Sequence, residues 1–187
     1  MRKLIMMNRV TVDGLFAGPR GENHEWFVDD ADVTKLTYEL MEPDTLLLGR
    51  VTYQLFEGVW PKILVDPKAP PLMKKAARDL DQMHKVVFSK TLDKVTWNNS
   101  RLVKTDPVAE VRRMKDGSGA DITIFGSGTI VQQLTTAGLI DEHIIVLTPL
   151  VLGKGKPMFK EVTQTRLELI ECRSFKSGNV VLHYKCC

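Results

Sequence analysis

The chain has 187 residues, 43% apolar and 26% charged, with a net charge of +3. That is enough chain to bury one domain core, and the composition excludes a disordered, collagen-like or disulfide-scaffold protein. The positive charge is spread without a long Lys/Arg run, so nucleic acid is not the expected partner, whereas an anionic small ligand would suit it.

Strand-like and helix-like segments alternate along the chain. Residues 2–8, R-K-L-I-M-M-N, read as a first strand. A-D-V-T-K-L-T-Y-E-L-M puts Val33, Leu36 and Leu40 on one helical face. T-L-L-L-G (45–49) reads as a short buried strand opening into another helix at R-V-T-Y-Q-L-F. Leu72, Ala76, Leu80 and Met83 share the face of a helix entered through proline, where a missing N–H costs little. K-V-V-F-S (85–89) is a strand. Asp106 is placed to cap a helix that has Pro107 at its first position and Gly117 past its end. D-I-T-I-F (121–125) is a strand, followed by a helix stopped by Gly138. H-I-I-V-L-T-P (143–149) is another strand. The tail alternates apolar and polar residues on both sides of K-S-G, the pattern of a terminal hairpin.

This order predicts a single α/β domain over 1–187, with a mostly parallel central sheet, flanking helices and an antiparallel edge. No apolar stretch is long enough to span a membrane. The three cysteines are odd in number and lack zinc spacing, so a reducing cytoplasm is the expectation. His24, His84, His143 and His183 have no ligand spacing, and no metal is expected.

In such sheets, ligands sit beyond the carboxyl ends of the strands. Three strand ends there carry phosphate-competent residues: Gly49-Arg50-Val51-Thr52, Ser89-Lys90 and Gly126-Ser127-Gly128. The G-S-G turn can be a phosphate cradle at a helix N-terminus, or only a turn capped by Ser127 or Thr129. It is not the usual dinucleotide fingerprint, because Val131 stands at the third glycine position, and Asp141 and Glu142 come too early. G-K-G-K-P (153–157) likewise fails as a Walker loop.

The order T-V-D-G-x-x-A-G, L-L-L-G-R-V-T-Y, K-V-V-F-S-K, I-F-G-S-G-T-I-V-Q-Q-L, L-I-D-E-H and P-L-V-L-G-K-G-K-P-M-F resembles the dihydrofolate reductase superfamily. It is most similar to the branch holding the reductase domain of the bifunctional riboflavin-biosynthesis deaminase-reductase. The resemblance implies a three-layer fold and NADPH as cofactor. It implies that Gly49, Arg50, Val51 and Thr52 line the adenosine and phosphate side. Arg50, Ser89 and Lys90 would face the 2′-phosphate. Phe125, Gly126, Ser127, Gly128, Thr129 and Ile130 would wrap the pyrophosphate, and Ala17 and Gly18 would border the nicotinamide. Relatives often have a cis Gly-Gly bond at this turn; here the pair is Gly126-Ser127, where a cis bond would cost about 3 kcal/mol.

Reducing a C=N bond needs a hydride on carbon and a proton on nitrogen. The family uses one acidic residue on the helix leading to the G-R-x-T segment. Glu25, Asp29, Asp30 and Asp32 lie near that place, and Asp32 matches best by spacing. Asp29 or Asp30 can instead cap the helix. Trp26 would close over the ring plane or simply pack. Asp13, before Gly14, would touch substrate or form a turn, and Lys154 and Lys156 would meet a substrate phosphate or solvent. The expected function is reduction of a pterin or a ribosylaminopyrimidine of the 5-amino-6-(5-phosphoribosylamino)uracil type. The rival is an NADPH-binding module that does no chemistry. No H-x-E with P-C-x-x-C zinc-deaminase signature occurs, so a free-standing reductase is expected. The resemblance implies a homodimer, with the terminal strands or their hairpin contributing.

Overall fold

The strand L-I-M-M-N-R-V-T, β1 (Leu4–Thr11), is apolar on both sides. Leu4, Met6 and Val10 enter one buried cluster, and Ile5 enters another. A strand buried on both faces belongs inside a sheet, and β1 lies there. The computed structural model describes residues 1–22 and 27–187. After β1 come β2 (Leu15–Ala17), α1 (Ala31–Glu39), β3 (Pro43–Gly49), α2 (Arg50–Val65), α3 (Pro71–Gln82), β4 (His84–Phe88) and β5 (Ser100–Val103). Then follow α4 (Pro107–Lys115), β6 (Asp121–Phe125), α5 (Gly128–Thr136), β7 (Glu142–Thr148), β8 (Lys156–Pro157), β9 (Leu167–Ser174) and β10 (Val180–Cys186).

Eight strands form one sheet in the order β5-β4-β3-β6-β1-β7-β10-β9. The pairs from β5 through β7 are parallel, and β10 is antiparallel to both its neighbours. Alternation along the strands sends side chains to two helical layers. On one face, Val111 and Met114 of α4 and Ile130, Val131 and Leu134 of α5 pack on Leu47, Val86, Ile122 and Ile124. On the other, α1 packs through Val33 and Leu36 on Ile5, Ile144 and Val146. Beside it, Tyr53 of α2 and Leu80 of α3 cover Leu46, Leu48 and Val87. This is the three-layer α/β arrangement expected, with the antiparallel terminal hairpin in place.

The Asp106 cap stands as read: its carboxylate accepts from Val108 N and Ala109 N, both at 3.3 Å. Gly138 closes α5 at φ +64°. The first strand runs on to Thr11, three residues past the expected end. β2, β5 and β8 were not legible, being two to four residues long and too short to show a period. Among the described residues no helix is long and apolar enough to cross a membrane. Nor does any cluster of His, Cys, Asp and Glu among them have the arrangement of a metal site. Cys172, Cys186 and Cys187 are all unpaired thiols.

Candidate functional site

Strand order places the three phosphate-competent strand ends side by side. β4, β3 and β6 are consecutive in the sheet and parallel. Gly49 is the register partner of Phe88, so Ser89 and Lys90 leave the sheet beside Gly49 and Arg50. Leu47 is partnered with Ile124, so the Gly126 turn leaves on the other side of Gly49. Residues far apart in the chain thus share one rim.

The centre of that rim is a direct contact. The Gly49 N–H donates to Ser127 Oγ at 2.6 Å, and the same oxygen exchanges a hydrogen bond with Thr52 Oγ1 at 3.2 Å. A Cβ on Gly49 would fall 2.4 Å from Ser127 Oγ, so only glycine allows this approach. Gly126 sits at φ +64° and Ser127 at φ 58°, two consecutive left-handed residues that fold the backbone back on itself. The Gly126-Ser127 bond is trans, as are all peptide bonds of the described residues. Ser127 occupies the N-cap position of α5 but gives no capping bond, because its hydroxyl faces Gly49.

The helix starts differ in a way that bears on ligands. α1 and α4 are capped by Asp30 and Asp106. α2 and α5, which meet at the Gly49–Ser127 contact, have no side-chain cap. Their first-turn N–H groups and positive dipole ends therefore point at the same space. Arg50 is exposed there, and among the described residues it reaches only Gln54 Oε1, at 3.3 Å. Val51, Lys90 and Thr129 are exposed, while Gly128 and Ile130 are buried beneath the turn. Ser89 is half-buried, and its Oγ accepts from Thr91 N and Leu92 N, at 3.1 and 3.0 Å, which holds its own loop.

Two residues complete the rim that the sequence reading missed. Asn8 is buried on β1, and its Oδ1 accepts from Gly126 N at 2.7 Å. Its Nδ2 is buried without a hydrogen-bond partner among the described residues. A polar residue in an apolar strand was the available signal. Phe16 lies over α5, where a Cβ on Gly128 would meet its Cε1 at 2.5 Å. Beside it, Ala17 and Gly18 are buried, and β2 pairs with β8. Gly18 N donates to Glu22 O at 2.7 Å, closing the turn after β2.

On the α1 side of the sheet a seam separates α1 from α2. Met7 packs with the α1 cluster, and its register partner Phe125 packs with the α2 cluster. Phe125 also meets Phe56 at 6.3 Å between ring centroids. Asp32 is exposed in the first turn of α1, and its N–H donates to Asp30 Oδ1 at 2.9 Å. Asp30 is therefore the helix cap. A hydrogen bond from Ser177 holds its carboxyl below the usual range. Trp26 and Glu25 lie outside the described residues.

Asp13 is bonded to the protein itself. Its carboxylate accepts from Thr11 Oγ1 at 2.6 Å, Leu152 N at 3.1 Å and Gly153 N at 2.8 Å. These bonds, Thr11 first, lower its pKa to about 2. Asp13 thus fastens the G-K-G-K loop to the turn after β1, and Gln132 of α5 fastens the next residues through Pro157 O and Met158 O. Lys154 and Lys156 remain exposed on that loop. A separate groove, at the amino ends of β3 and β4, is lined by Tyr38, Lys75, Asp79 and His84. Asp79 is already bonded there to Tyr38 and Lys75, both at 2.6 Å.

The rim fits a dinucleotide phosphate by two observations: two uncapped helix starts converge on it, and an orphaned amide donor sits beside Gly126. The RibD C-terminal domain model matches residues 2–181. Uncharacterized protein YyaP of Bacillus subtilis is 31% identical over 184 residues, covering 98% of this chain and 94% of the relative. Uncharacterized protein YwjB of the same organism is 28% identical, with 98% and 97% covered. A pyrimidine reductase-like protein of Corynebacterium diphtheriae shares the fold at TM-score 0.66 and 15% identity, over 100% of this chain and 92% of that one. The Thermotoga maritima diaminohydroxyphosphoribosylaminopyrimidine deaminase/5-amino-6-(5-phosphoribosylamino)uracil reductase does so at TM-score 0.68 and 12% identity, with 100% of this chain matching 57% of that one. The chain belongs to the RibD C-terminal domain family, reductase domains with the dihydrofolate reductase-like fold.

Proposed function

We propose that the protein is a cytoplasmic NADPH-dependent reductase that passes a hydride to a small heterocycle such as a ribosylaminopyrimidine or a pterin. One observation carries this: the uncapped starts of α2 and α5 meet through Gly49 N and Ser127 Oγ at 2.6 Å. Backbone N–H groups of both first turns would hold the pyrophosphate, as helix starts hold phosphates elsewhere. Arg50 and Lys90, exposed at adjoining strand ends, would hold the 2′-phosphate, which favours NADPH over NADH. Ala17 and Gly18 would place the nicotinamide at the mouth of the α1–α2 seam.

When bound, the nicotinamide supplies the hydride. The chain's own part is to orient the acceptor ring in the seam over Met7 and Phe125 and to bring a proton to its nitrogen. Asp32, open to solvent at the head of α1, would pass that proton through a water. The exposure of Asp32 also favours a second reading, an NADPH-binding module without chemistry. Single-turnover loss of NADPH absorbance with a substrate panel separates the two. Turnover with any pterin or pyrimidine supports the reductase; tight NADPH binding with no turnover across the panel supports the module.

A homodimer is part of this proposal. β9 is one of the two outer strands of the sheet, and Leu169 and Ile170 on it are 51% and 50% exposed. An open edge with apolar side chains is a surface that a second copy would cover.

A further inference from the structure

β1 carries a cation that the cofactor does not account for. Asn8 turns toward Gly126, and Arg9, the next residue, points to the opposite face, toward the segment that enters α1. Its guanidinium lies 5.4 Å from the Phe27 ring centroid, and its Nη1 donates to Val28 O at a long 3.4 Å. Arg9 is half-buried. Among the described residues no carboxylate comes within ion-pair distance of it. Asp29 and Asp30 act on it only from a distance, and burial still pulls its pKa below the ordinary value. Asp30 is fully engaged as the α1 cap. A guanidinium cannot shed its charge, and among the described residues the long bond to Val28 O is the one hydrogen bond its fork of donors makes. Such an arrangement costs stability unless something else completes it.

We propose that Arg9 is a specificity-determining residue that binds a carboxylate of the substrate, gripped side-on by the guanidinium while Phe27 backs it. The position follows from register. Arg9 is two residues beyond Met7 on the same face, past the last β1–β6 pair, Met7 with Phe125. It therefore stands at the open end of the seam in which the proposed function seats the acceptor ring, and the inference rests on that seating. A carboxylate matches the planar fork with one negative charge. A phosphate dianion would bring a second charge toward Asp29 and Asp30.

The test is equilibrium binding of three probes, benzoate, benzamide and phenylphosphonate, with and without saturating NADPH. The proteins are wild type, Arg9→Met, Arg9→Lys and Arg50→Ala. The expected result is benzoate tighter than benzamide by about tenfold or more, with phenylphosphonate between them. Arg9→Met should abolish the preference, Arg9→Lys should lose most of it, and Arg50→Ala should keep it. Ligand-free Arg9→Met should also melt higher than wild type, because an unpaired charge is gone; a purely structural arginine would show the reverse. Equal binding of benzoate and benzamide, preference for phenylphosphonate, or a benzoate preference surviving in Arg9→Lys and Arg9→Met overturns the proposal. If Arg9→Met does not fold, wild type and Arg9→Lys decide alone. NADPH binding is read separately in each sample, so failure of the cofactor assignment is distinguished from failure at Arg9.

Discussion

The N–H of Gly49, at the end of β3, donates to the hydroxyl of Ser127, the residue before α5, at 2.6 Å. This one bond ties two helix starts that are 78 residues apart in the chain. Ser127→Ala would leave the buried Gly49 N–H without its acceptor, at a cost of roughly 1–3 kcal/mol. Urea denaturation should show that loss, and NADPH titration should show affinity falling by about tenfold. Unchanged stability and affinity would mean that the contact organises nothing.

His143 gives a pH signature. It is 2% exposed on β7, and burial lowers its pKa to about 4. The unfolded chain takes up this proton near the ordinary value of 6.5, while the folded chain resists until about 4. Stability is therefore full above 6.5 and falls on acidification between 6.5 and 4, by roughly 3 kcal/mol from this residue. Denaturation across that range should show the slope, and His143→Leu should flatten it. A slope of the same size in the variant would assign it elsewhere.

Asp13 fastens the G-K-G-K loop by accepting from Leu152 N and Gly153 N. Asp13→Ala should free that loop, so trypsin should cut after Lys154 faster than in wild type at neutral pH. In wild type the fastening depends on the ionised carboxylate. It is present above the ordinary carboxyl range and lost as pH falls toward about 2. Protection of the Leu152 and Gly153 amides, taken relative to their intrinsic exchange rate at each pH, should drop over that fall. Equal cleavage of both proteins would show that other contacts hold the loop.

Light scattering at micromolar protein should give the mass of a dimer. Leu169→Glu with Ile170→Lys, placed on the exposed edge strand, should return it to a monomer without unfolding it. A wild-type monomer would reject the dimer.

Much of the fold was legible because its strongest elements repeat. Val33 with Leu36, and Ala76 with Leu80, showed helical spacing and are buried as that spacing implied. Asp106-Pro107 marked a helix start by chemistry that acts within a few residues. β2, β5 and β8 are too short to repeat anything, and partners distant in sequence create them. The same division holds at the site. Glycine and Arg/Lys residues at strand ends were visible, but the Ser127–Gly49 bond was not, since nothing local sends a serine away from its own helix. Asp13 had the residue type of a ligand contact, and only the fold brings Leu152 and Gly153 to it. Arg9 gave no periodic signal; it stands out only once burial shows how little pairs with it.

The measurement that bears most directly on the proposed function is a fluorescence titration of wild type and Arg50→Ala with NADPH and with NADH. Wild type should bind NADPH at least about tenfold more tightly than NADH, and Arg50→Ala should lose most of that difference while keeping its NADH affinity. Equal affinity of wild type for the two cofactors, or no binding of either, would contradict the assignment.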